Sequence, residues 1–158
     1  MNRNQKAVAE RELSGYDNLR DSTLQWKSDV AFFQDELHFL KDLLNKYFML
    51  LIKTESLKYI KELDRDVCRA IDCCAIINEK VDLHLKNVNV IIALASEPQF
   101  SIWEEHDSVR SQIRVFVSYF RDQKQKMYRV TSRMLDHEKL RLFLRAMCND
   151  REPGYPPL

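Results

Sequence analysis

Glycine and proline are nearly missing from this chain. Two glycines and four prolines stand among 158 residues, and neither type occurs between Tyr16 and Glu97. Sheets joined by hairpins need those residues at their turns, so their scarcity excludes an all-β fold and favours long helices. Also missing is any run of about 18 apolar residues, so no membrane span is expected. The opening stretch, Met1 to Asp17, has no apolar core of the kind a signal peptide carries, and the expected location is therefore cytoplasmic. There is no Gly-x-Ser-x-Gly and no glycine-rich phosphate loop. Without a turn to expose a nucleophile beside a base, the sequence argues against an enzyme. Charge of one sign is lacking too: 25 basic and 24 acidic residues leave a net charge of +1. That balance argues against a nucleic-acid partner.

What the chain does have is helical periodicity. Trp26, Val30, Phe33, Leu37, Leu40, Leu44, Tyr47 and Leu51 alternate at spacings of four and three, which places them on one stripe of a helix from about Asp21 to Lys53. A second helix is predicted over 57–95, with a seam of Ile60, Asp64, Val67, Ile71, Cys74, Asn78, Val81, Leu85, Val88, Ile92 and Ala95. Ser96-Glu97-Pro98 ends it, and Ser101 with Glu104 reads as a capping box for a third. The third seam is Ile102, His106, Val109, Ile113, Phe116, Phe120, Gln123, Met127, Val130 and Met134; Leu140, Phe143, Leu144 and Met147 then form a short fourth helix. The expected fold is all-α, an elongated antiparallel bundle of three long helices plus a short C-terminal one. Residues 1–18 are expected to be a flexible segment with a short helix ended by Gly15. Residues 19–149 form the bundle, and 150–158 a proline-rich tail.

Charge supports the pairing. From Thr54 to Asp107 there are 11 acids and 6 bases, and from Ser108 to Cys148 there are 3 acids and 10 bases. Antiparallel neighbours of opposite sign pack without self-repulsion. The alternative use of the basic residues (Arg110, Arg114, Arg121, Lys124, Arg129, Arg133, Arg141 and Arg145, with Tyr119 and Tyr128 between them) is a surface for an acidic partner.

Site chemistry is sparse. Four polar residues fall on the seams: Asp64, Asn78, His106 and Gln123. Such residues fix register or partner number in bundles at a cost in stability. His84 reads as a flank residue, and His106 as a satisfied or partly solvent-facing histidine near the first turn of its helix. Asp35-x-x-His38 has the spacing of a carboxylate–histidine metal pair, and the levels bring His38 beside Cys74 and Gln123. Leu37, however, is the inward residue there, so no metal or other cofactor is expected. Cys68, Cys73, Cys74 and Cys148 read as reduced thiols. Pro153, Pro156 and Pro157 hold an extended tail that offers Tyr155 and Leu158 to a groove.

Two stretches, Trp26 to Leu37 and Asp136 to Leu144, resemble segments of uncharacterised bacterial helical-bundle proteins, where a Trp, an acid and an aromatic open the first long helix and a His-Glu pair precedes the last. The resemblance implies a helical bundle and carries no activity. Spectrin-type repeats are similar in architecture only. The functional expectation is a non-enzymatic protein–protein interaction or scaffold bundle, with a protein partner or self-association through flanking apolar residues: Phe32, Leu43, Phe48, Leu63, Ile77, Ile91, Val117 and Phe143. The alternative is a ligand- or metal-binding bundle using the layer around His38, Cys74 and Gln123.

Overall fold

A computed structural model describes residues 3–94 and 100–134, with side chains over 15–53, 55–94 and 101–134. Every described residue except 55 and 56 is helical. α1 spans Arg3–Thr54, α2 Leu57–Leu94 and α3 Phe100–Met134. At 1.5 Å per residue, α2 and α3 are each about 55 Å long. The short fourth helix, the tail and Tyr155 lie outside the described residues, as do Phe143 and Cys148.

The turn between α1 and α2 is as tight as the frame break demands. Glu55 N–H donates to Leu51 O at 2.9 Å, and the Ser56 hydroxyl accepts from the Tyr59 amide at 3.2 Å. Ser56 is thus the N-cap of α2, satisfying one of the amides the first turn leaves open. α3 begins one residue before the expected capping serine, so Ser101 lies inside the first turn and is exposed.

Two expectations about α1 differ in outcome. Its seam is as read: Val30, Leu37, Leu40, Leu44 and Leu51 are buried. The break at Gly15 does not occur, and the helix runs on to Arg3. Gly15 serves packing instead of termination. A Cβ there would stand 3.3 Å from Cη2 and Cζ2 of Trp103, so the missing side chain lets the indole of α3 lie against the α1 backbone. Tyr16 and Leu19, one turn on, are core residues.

The α2 seam is shifted from the expected one. Buried positions are Ile60, Leu63, Val67, Ala70, Cys74, Ile77, Val81, His84, Val88 and Ile91. Asp64, Ile71, Asn78, Leu85 and Ile92 are only half-buried, because the row one residue earlier, about 100° around the helix, takes the inward place beside the shared positions. Asp64 and Asn78 are therefore flank residues, and Leu63, Ile77 and Ile91 are core rather than side wall. The α3 seam is as expected, including its two polar members.

The core falls into three apolar clusters along the bundle axis. Tyr16, Leu19, Val88, Ile91 and Ile102 fill one end. Val30, Leu37, Ala70, Cys74, Ile77, Val81, Val109, Ile113, Phe116 and Phe120 fill the middle, with Phe33 edge-on to Phe116 at 5.8 Å and tilted against Phe120 at 4.8 Å. Leu40, Leu44, Leu51, Ile60, Leu63, Val67, Met127 and Val130 fill the other end. Each such side chain, taken out of water, contributes roughly 1.5–3 kcal/mol. Ion pairs across the seams hold the antiparallel alignment: Lys27 with Asp82 at 2.6 Å, Lys41 with Asp64, Lys126 with Asp66 at 3.4 Å, and Arg133 with Glu55 at 2.7 Å. Of these, Lys126–Asp66 joins the basic α3 to the acidic α2.

Candidate functional site

Polar side chains interrupt the core at two levels. Between the first and middle clusters, His84 of α2 and His106 of α3 meet with both rings buried, at 0% and 2% exposure. Nε2 of His84 lies 2.9 Å from Nδ1 of His106, so one ring donates and the other accepts. Trp26 of α1 covers the pair, stacked on His106 at 4.4 Å and on His84 at 6.5 Å. Oε1 of Glu105 approaches Nδ1 of His84 to 3.3 Å without hydrogen-bond alignment, and the Glu105 carboxylate accepts from the Asn87 amide at 3.1 and 3.3 Å. Nε2 of His106 has no partner. Burial, followed by the neighbouring His84, holds the His106 imidazole well below its usual range, at about 4. The flank position expected for His84 is corrected, since its ring lies in the core; of the two readings of His106, the satisfied one holds for Nδ1 and the partly solvent-facing one does not.

The second polar level lies between the middle and last clusters. Gln123 is fully buried; its Nε2 donates to Asp122 at 3.1 Å, and its Oε1 is unpartnered. Near this level Glu36 of α1 is 8% exposed and accepts from Lys124, the residue after Gln123, at 2.6 Å.

No common layer forms from His38, Cys74 and Gln123, since His38 is exposed on α1 while the other two are buried. Among the described residues no three His, Cys, Asp or Glu side chains gather as a metal site. The Cys74 thiol donates to Val30 O at 3.6 Å, and burial pushes it up to about 11. It is therefore a packed thiol and not a nucleophile. Cys68 and Cys73 are also free, Cys73 on the surface. Comparison with protein-family models, curated proteins and solved structures returned no match. Among the described residues, no helix is long and apolar enough to cross a membrane.

The surface feature that stands out lies on the wall between α2 and α3. An open groove of about 600 Å³ is lined by Cys73, Ile76, Ile77, Val115, Phe116 and Tyr119, with Arg69, Ser111 and Gln112 at its margins. Ile76 and Val115 are 52% and 72% exposed. Polar bridges close it at both ends: Lys80 with Gln112 on one side, and on the other the Tyr119 hydroxyl donating to Asp66 O at 3.1 Å with Lys126 nearby. Leu83 and Val90, seven and fourteen residues on from Ile76 along α2, are also exposed but lie outside the groove, Val90 beside Lys27 of α1. Sequence reasoning missed this stripe because it assigned the neighbouring stripe of α2 to the surface. The basic face of α3 is not continuous, since Arg110, Lys124 and Arg133 are engaged by Asp107, Glu36 and Glu55.

Proposed function

We propose that the protein is a non-enzymatic interaction bundle that receives an amphipathic helix in the groove between α2 and α3. The observation that supports this reading is the apolar groove itself, where the exposed Ile76 of α2 and Val115 of α3 stand beside the buried Ile77 and Phe116. Apolar surface gathered in a groove and closed at both ends by polar bridges has the anatomy of an interface. Three free thiols suit a reducing compartment, consistent with work in the cytoplasm.

Cys73, an exposed residue lining the groove, reports occupancy directly. Its alkylation rate in the intact protein, read by peptide mass spectrometry, should fall when a helix docks and recover in Val115→Glu, which places a charge where the helix would sit. Protection that grows with protein concentration identifies a second copy, and protection that appears only with a partner identifies another chain. Equal alkylation in the wild type and Val115→Glu, at all concentrations and with native cell extract added, would overturn the reading.

A further inference from the structure

We propose that His84 and His106 form an acid-sensitive catch that holds the first turns of α3 against α2 and α1, independently of the groove. The geometry sets a limit on protons. Two imidazoles carry four ring nitrogens, and the 2.9 Å contact uses one from each. With no extra proton, one ring donates across that contact and the other accepts. A proton added to His106 goes either to Nε2, which has no partner, or to Nδ1, where it removes the acceptor that His84 would donate to; in either place the charge is buried without an acceptor.

Every neighbouring element has been committed elsewhere. From α1 the pair meets the Trp26 ring, while Lys27 is held by Asp82 of α2 and Asp29 accepts from Gln25. On α3, Asp107 and Arg110 pair with each other and act on His106 with opposite sign. Glu105 is a carboxylate beside His84, and Asn87 already donates to it. Among the described residues, no acid accepts a hydrogen bond from His106 to balance an added proton.

Opening therefore couples to proton uptake. The opened or unfolded chain takes the His106 proton near the ordinary 6.5, and the closed form resists it until about 4. Stability is complete above the higher value, falls as pH drops between the two, and falls no further from this group below the lower. A one-proton difference raises the opening constant about tenfold per pH unit inside that window.

The test is a pH titration of the intact protein from 7.5 to 3.5 by NMR, following both histidine rings and the indole N–H groups of Trp26 and Trp103. The expected result is that the His106 ring stays neutral down to about pH 4 and that both indoles shift together as the proton enters. Uptake by His106 near 6.5 with both indoles unmoved would overturn the proposal. Thermal melts of the wild type and of His84→Leu/His106→Leu give a second reading. The double variant should lose the steepest part of the acid dependence, and parallel pH profiles would overturn the catch. The NMR titration needs no variant, so it decides the matter even where the double variant does not fold.

Discussion

The two polar levels of the core answer the same problem in different ways. At the histidine level the hydrogen bond runs between helices, from α2 to α3, with an aromatic lid from α1, so the bond exists only when all three helices are in place. At the second level Lys124 reaches Glu36 of α1, but the buried Gln123 itself bonds only within its own helix, to its neighbour Asp122, and its amide oxygen is left alone. A polar group satisfied across a seam helps specify how helices align; one satisfied within its own helix costs desolvation and specifies little.

The largest expected effect comes from breaking the first level on one side only. His106→Ala leaves a void beneath Trp26 and an unpartnered His84 ring, and should cost about 3 kcal/mol in chemical unfolding. A loss under 1 kcal/mol would place the two levels on an equal footing. Next in size is Gln123→Leu. It removes a buried oxygen that has no partner and should stabilise the fold by about 1 kcal/mol, with unchanged pH dependence. A destabilised variant would mean that Gln123 holds an alignment after all. Smallest is Asn78→Leu. A residue on the half-buried flank of α2 should move stability by no more than about 0.5 kcal/mol, and a shift in self-association would return it to the role of register residue that its apparent seam position suggested.

How much of this could be read from the sequence depended on helix phase. α1 and α3 each offer one stripe with no competing neighbour, wholly apolar in α1 and with two polar members in α3, and each faces the core. α2 offers two that compete: Asp64, Ile71, Asn78, Leu85 and Ile92 on one side of the shared positions, and Leu63, Ala70, Ile77, His84 and Ile91 on the other. The second contains one polar residue and the first contains two, and that difference was the available signal. Choosing the first moved Asp64 and Asn78 into the core and His84 out of it. It also hid the exposed stripe of Ile76, Leu83 and Val90, which adjoins the true seam. The histidine pair escaped for a further reason. Levels counted from a turn at 97–98 place His84 beside Ser111, and the observed partner lies just over one helical turn away. Counting from a turn cannot resolve pairs at that scale, whereas chemistry could have suggested that two buried histidines seek each other.

The seat of Trp103 over Gly15 bears on the order in which the molecule is built. Pairing α1 with α2, or α2 with α3, joins neighbours in the chain and needs only a short loop to close. Laying the indole against Gly15, and Tyr16 and Leu19 against Ile102, joins the first helix to the third and requires both earlier pairings to exist. That end of the bundle is accordingly the last to assemble and the first to open. Folding is expected to finish where the polypeptide begins, with a substitution at Gly15 changing the unfolding rate and leaving the folding rate nearly untouched.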